Sequence, residues 1–171
     1  MTRKNDVHVR ASRATDVGAL ADILQASVKG LAGEYYSSAQ VQAWMAVLPD
    51  VTRIKNQTLD GRKTFIAETS SEGVCGLIDL EACGHIDYLY IRPEKAGQGL
   101  ATIMYNHLEA YAIRHGMTRL YTEASEHARR FFLAKGFSEL HRRDFEVGGV
   151  SIHNYAMEKW VGDGSTGIES C

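Results

Sequence analysis

Net charge is nearly absent from this chain: 19 lysines and arginines oppose 21 aspartates and glutamates, leaving −2. Nothing therefore draws the whole molecule towards nucleic acid or an anionic membrane. No apolar run approaches the roughly 18 residues needed to span a bilayer, which predicts no membrane partner. Met1–Val9 is polar and lacks the apolar stretch of a secretory leader. Cysteine is scarce. Cys75, Cys83 and Cys171 form an odd set without metal-ligand spacing, and three lone thiols suit a reducing, cytoplasmic setting. His8, His107, His115, His127, His141 and His153 show no ligand spacing either, so no metal is expected. Internal repeats and linkers are also missing.

What is present is ordinary globular material. Hydrophobic residues make up 44% and charged residues 23%, and 171 residues suit one domain burying roughly 70% of its unfolded surface. That domain is expected over residues 1–161, with 162–171 a flexible polar tail.

Along the chain, Val7–Ala14 alternates like a half-buried strand. Thr15 and Asp16 are candidate caps for a helix carrying Leu20, Ile23, Leu24 and Val28, which Gly30 and Gly33 break. Ser37 with Gln40 reads as a capping box before a helix over Val41–Val47, and a short helix is expected over Val51–Leu59. A meander follows, with strands over Lys63–Thr69, Val74–Glu81 and His85–Ile91. A long helix then buries Leu100, Ile103, Met104, Leu108, Tyr111 and Ala112 on one stripe, ending at Gly116. Leu120–Glu123 is a strand, Glu126–Ala134 a helix, and Phe137–Val147 and Ser151–Trp160 a closing hairpin about Gly148-Gly149. The order predicts a mixed α/β domain.

The stretch LYIRPEKAGQGLATIM, residues 89–104, runs from strand through glycine turn into helix. Gly97 and Gly99 clear side chains from the bend and leave amide N–H groups facing outward. The helix start adds unpaired N–H groups and a partial positive charge. Such a turn can hold a phosphate or pyrophosphate, with Lys95 and Arg92 at its rim. A plain strand-to-helix turn has the same spacing. It is not a Walker loop, because Leu100-Ala101 follows where Lys-Ser or Lys-Thr is needed. Nor is it a dinucleotide fingerprint, because Thr102 occupies the third glycine's place.

At Ile91-Arg92-Pro93 and Ala96-Gly97-Gln98-Gly99-Leu100-Ala101 the sequence resembles the GNAT superfamily of acetyl-CoA-dependent N-acetyltransferases. The likeness continues through LYTEAS and ARRFFLAKGF and covers roughly residues 7–161. It implies a central, mostly antiparallel twisted sheet of six to seven strands with helices on both faces. It also implies acetyl-CoA as co-substrate, a small-molecule or peptide amine as acceptor, and a homodimer as one assembly. Leu89, Tyr90 and Ile91 would pair with the pantetheine arm, amides of Ala96 to Ala101 would hold the pyrophosphate, and an amide near Ile91 would polarise the thioester carbonyl.

Three departures stand out. Ala96 replaces a Gln or Arg, Ser125 replaces an Asn, and Phe132 replaces a Tyr held to protonate the leaving thiolate. Without that hydroxyl, Tyr36 or Tyr155 substitutes, or a thiolate of pKa about 8.5 leaves unassisted. These departures keep a second function open, a CoA-binding module with little catalysis.

A lysine-like amine is neutral in only about one molecule in 2,500 at pH 7, a cost of roughly 4.6 kcal/mol that a base partly recovers. On HIDYLYI, His85 and Asp87 lie two apart on one strand face, about 6.7 Å along the backbone. His85 also aligns with a place where family members carry a glutamate. The base is His85, Asp87, the two as a pair, or water. Tyr35, Tyr36 and Trp44 fall where the family shapes its acceptor pocket. Arg129 and Arg130 either reach the cofactor's 3′-phosphate or form a solvated helix face.

Overall fold

The computed structural model describes residues 6–162, which form seven strands and five α-helices. In chain order these are β1 (Val7–Ala11), α1 (Val17–Leu31), α2 (Ser38–Val47), α3 (Val51–Gln57), β2 (Lys63–Thr69), β3 (Gly73–Leu80), β4 (Leu89–Ile91), α4 (Leu100–Arg114), β5 (Arg119–Ala124), α5 (Glu126–Ala134), β6 (Ser138–Val147) and β7 (Val150–Trp160). Of the tail expected over 162–171, all but Gly162 lies outside the described residues.

Local chemistry explains most element ends. The Ser37 hydroxyl accepts from the Gln40 N–H at 3.2 Å while the Gln40 side chain accepts from Ser37 N–H at 2.9 Å, so the capping box forms as its spacing predicts. Asp16 behaves differently from its expected capping role. Its carboxylate takes the Arg10 guanidinium at 2.8 Å and the Arg13 N–H at 2.6 Å instead of the first amides of α1. An arginine on the neighbouring strand is the stronger partner.

Alternation along β2 builds a core on each sheet face. Phe65 and Ala67 join Met104 and Leu108 of α4 on one side, whereas Ile66 packs with Leu20 and Leu24 of α1 and Ile54 of α3 on the other. Helices thus cover both faces.

The sheet itself is split. β1-β2-β3-β4 form one antiparallel half and β5-β7-β6 the other. The strand expected over His85–Ile91 is regular only from Leu89 to Ile91, because the ladder to β3 is interrupted at Ile86 and Asp87: the His85 and Tyr88 carbonyls still accept from Glu81 and Asp79 N–H, but Gly84 and Ile86 bond β5 instead. There Tyr121 N–H donates to Gly84 O at 3.0 Å and Ile86 N–H donates to Tyr121 O at 2.8 Å. The Thr122 hydroxyl closes the join by donating to Ile86 O at 2.8 Å. Beyond it, β4 follows β3, β5 follows β7, and the halves diverge. Gly84 permits this crossing. It has φ +90°, and a Cβ there would lie 2.1 Å from the Arg119 carbonyl oxygen.

The expectation of three lone thiols needs correction. Cys75 is free and buried, but Cys83 is disulfide-bonded, and Cys171 lies outside the described residues.

Candidate active site

The glycine turn lies at the open end of the split. Gly99 is the residue before α4, at φ +85°, and Gly97 has φ +74°. A Cβ at either glycine would meet nothing within 4 Å, so left-handed backbone, not crowding, explains these glycines. Ala96 differs from its expected role, since its N–H is already donated to Pro93 O at 3.1 Å. The amides of Gly97 to Thr102 have no acceptor among the described residues. Of these residues all but Gln98 border a groove of about 280 Å³ between α4 and α5, whose other walls include Leu89, Ile91, Ala128 and Phe131. This is a fitting cradle for a pyrophosphate. The expected rim cations are engaged elsewhere: Lys95 pairs with Glu72, and Arg92 donates to Val74 O at 2.9 Å. Arg129 is held by Glu139 at 2.6 Å, and Arg130 lies over the Tyr35 ring at 5.9 Å.

The edge of β4 forms the groove's wall. Arg92 N–H bonds Cys75 O and Asp79 N–H bonds Tyr88 O, so the alternation turns Tyr90's backbone towards Leu77 of β3. Leu89 and Ile91 turn theirs to the open edge. Tyr90 therefore parts from its expected place beside the cofactor. Its ring lines the next cavity, against Trp44.

A narrow junction continues the groove past Leu89 and Ala128 to Asp87, Glu123, Ser125 and the buried Phe132. Asp87, Tyr90, Glu123 and Ser125 also line a larger cavity of about 390 Å³, between the α2–α3 turn and the β6–β7 hairpin. Its remaining walls include Tyr36, Trp44, Leu48, Tyr88 and Ile152, with Arg53, Arg143 and His153 as the cations and histidine. Ser125 caps α5, its hydroxyl accepting from Ala128 N–H at 3.2 Å.

The expected His85–Asp87 pair does not form. With the strand broken at its start, the His85 ring stacks on Tyr121 and lies between carboxylates, 2.6 Å from Glu123 and 3.4 Å from Glu81. Burial alone would depress its pKa, but the bonds and charges of Glu123 and Glu81 outweigh it and lift the value to about 9. At neutral pH His85 is already a cation and has no place for another proton. Its hydrogen bond holds the Glu123 carboxylate below the usual range. Asp87 turns to Arg62 at 3.3 Å. That arginine also binds Asp60, Glu81 and the fully buried Asp79, whose other oxygen accepts from the Asp87 and Tyr88 N–H groups.

Both candidate tyrosine hydroxyls are occupied. Tyr36 donates to His153 O at 3.1 Å and accepts from Glu126 N–H at 2.9 Å, stapling α5 to β7. Tyr155 donates to Glu126 at 2.7 Å beneath Arg129, outside the cavities described. Burial raises the Tyr36 pKa, and the Glu126 bond raises that of Tyr155.

A twisted antiparallel sheet forked beside a strand–glycine-turn–helix cradle defines the architecture of an acetyltransferase. The model of the acetyltransferase (GNAT) domain matches residues 33–159, and the chain belongs to this family. No protein of curated function matches the sequence. Among solved structures, the chain resembles a Rhodopseudomonas palustris protein described as "GCN5-related N-acetyltransferase: aminotransferase, class-II". The two share 29% identity and a TM-score of 0.82 over 92% of this chain and 97% of that one. PaiA N-acetyltransferase of Thermoplasma acidophilum, solved with coenzyme A, is 17% identical, with a TM-score of 0.71 over 91% and 99% of the two chains. A phosphinothricin acetyltransferase of Sinorhizobium meliloti, solved with acetyl-CoA, is 18% identical, with a TM-score of 0.71 over 96% and 94%.

Glu123, Arg62, Arg53 and Arg143 escaped the reading of the sequence. For Glu123 a signal existed: in LYTEAS it stands two residues from Tyr121 and two from Ser125, so all three share one strand face.

Proposed function

We propose that the protein moves the acetyl group of acetyl-CoA to a primary amine by direct attack in a ternary complex. The observation that carries this reading is the continuity of the groove. Leu89 and Ala128 line both the cofactor side and the junction, while Asp87 and Glu123 line both the junction and the larger cavity. Two reactants entering from opposite ends meet between β4 and β5.

Acetyl-CoA, when bound, supplies an acyl thioester activated towards amines. The amides of Gly97 to Thr102 bind its pyrophosphate at the positive end of α4. The Ile91 N–H, on the open edge of β4, donates to the carbonyl oxygen as negative charge builds there. Glu123, kept ionised by the cationic His85, draws the acceptor's ammonium form to the junction. Asp87 takes the amine's proton and passes it to solvent through the open cavity. No acidic hydroxyl stands free at Phe132, Tyr36 or Tyr155. A leaving thiolate with a pKa near about 8.5 needs none.

Phe132 favours a second reading, a CoA-binding module with little catalysis. One assay separates the two: thiol release from acetyl-CoA with a panel of amines, with the acetylated product weighed by mass spectrometry. Amine-dependent release supports the transferase. A melting shift with CoA but no release with any amine supports the module.

A further inference from the structure

The larger cavity is sorted by charge along its length. Its carboxylates, Asp87 and Glu123, both lie among the residues it shares with the junction, with Trp44, Tyr90 and Ser125. Arg53 and Arg143 line the cavity but not the junction. They rise from opposite walls, Arg53 from α3 and Arg143 from β6. Arg10, Arg62, Arg119, Arg129 and Arg142 each have a carboxylate partner within 3 Å. Arg53 and Arg143 have none among the described residues, and of the arginines without one (Arg13, Arg53, Arg92, Arg114, Arg130 and Arg143) they alone line this cavity. The Arg53 guanidinium makes no hydrogen bond or ion pair, and Arg143 reaches only Asn154 Oδ1 at 3.4 Å and the Phe145 ring at 6.0 Å. Arg143 lies near enough to Glu123 to help depress its pKa, yet forms no ion pair with it. Between the two ends the wall is apolar and aromatic, from Trp44, Leu48, Tyr88 and Ile152.

Resting on the proposed acetyl transfer, we propose that the acceptor is a small amine that also carries a carboxylate, gripped at the cavity's outer end by Arg53 and Arg143. Guanidinium forks match carboxylates in two-point hydrogen bonds, and an unpaired arginine has its full donor set to offer. The junction's carboxylates favour the ammonium end of the same molecule, which orients a zwitterion amine first. A cavity of about 390 Å³ is small for a ligand site and suits a molecule of amino-acid to dipeptide size. The apolar wall favours a hydrophobic body on the acceptor.

The test compares two pairs of amines matched except for the carboxylate: phenylalanine with phenethylamine, and 6-aminohexanoate with pentylamine. Expected is a kcat/KM at least ten-fold higher for the carboxylate member of at least one pair. Arg53→Gln and Arg143→Gln should each cut that preference about ten-fold, mainly through KM, because a hydrogen-bonded charge pair is lost. Arg53→Lys and Arg143→Lys, which keep the charge but not the fork, should recover part of it. Equal kcat/KM within both pairs, or a preference untouched in both glutamine variants, overturns the inference and leaves acetyl transfer standing. Thiol release with none of the four overturns transfer to amines of this kind. Calorimetry of phenylalanine and 6-aminohexanoate against the CoA-loaded protein then decides the carboxylate site, and no heat with either overturns it.

Discussion

Placing a carboxylate on the first turn of α4 should separate cofactor binding from folding. Gly99 is unsuitable, since φ +85° makes any side chain there a strain on the fold. Ala101 is suitable. It is half-buried, stands in the first turn of α4, and lines the groove beneath the free amides. In the folded protein, Ala101→Glu puts negative charge at the helix's positive end, a gain of about 0.3–1 kcal/mol. For CoA the sign reverses. A carboxylate about 5 Å from one phosphate charge, at an effective dielectric near 20, costs about 3 kcal/mol, or more than 100-fold in affinity. Ligand at about 100 times the wild-type dissociation constant stabilises the wild type by about 2.7 kcal/mol. In a domain this size that is about 5–11 °C of melting temperature. For the variant the same concentration falls near its own dissociation constant, leaving a shift of about 1–2 °C. The assay is a melting curve with and without acetyl-CoA, with Ala101→Gln as the uncharged control for lost space. A well-folded Ala101→Glu variant showing the full wild-type shift would refute the cradle.

The remaining predictions concern the ion pairs behind the junction. With its pKa raised from 6.5 to about 9, His85 gives stability that is fully present below about pH 6.5 and is lost as pH climbs through 9. Melting temperature should therefore fall more steeply between pH 7 and 9.5 in wild type than in His85→Gln, and an NMR titration of His85 with its midpoint near 6.5 would contradict the paired geometry. Arg62→Met strands Asp79, whose side chain is 0% exposed, without its counter-ion. The cost should be about 3–5 kcal/mol, or roughly 6–20 °C in a thermal melt. A loss below about 2 °C would show that the backbone N–H groups on Asp79 suffice.

Local patterns carried much of this architecture. The capping box at Ser37, the helix over Glu126–Ala134 and the glycine turn ahead of α4 all depend on residues within a few positions of one another. The fork did not read the same way. HIDYLYI alternates like one strand, and it is Tyr121 and Thr122, far along the chain, that interrupt its ladder to β3 by bonding Gly84 and Ile86. The same distance hid the fate of His85. Spacing set it beside Asp87, but Glu123 is 38 residues on and wins through a hydrogen bond that strand geometry in isolation does not reveal. Arg53 and Arg143 look like ordinary surface charges until α3 and β6 are brought to one cavity. Tyr90 was placed by strand membership, whereas ladder register decides which side of the strand its backbone serves.

The fork behaves as a two-tined clamp fastened at one end. Its crotch is Gly84, Ile86 and Thr122 against β5, and its open mouth is the glycine turn. A side chain at Gly84 would lie 2.1 Å from the Arg119 carbonyl oxygen, so the crotch can close only on a residue without a Cβ. The join that brings the two tines together thus hangs on one missing side chain, at a position outside the groove's lining.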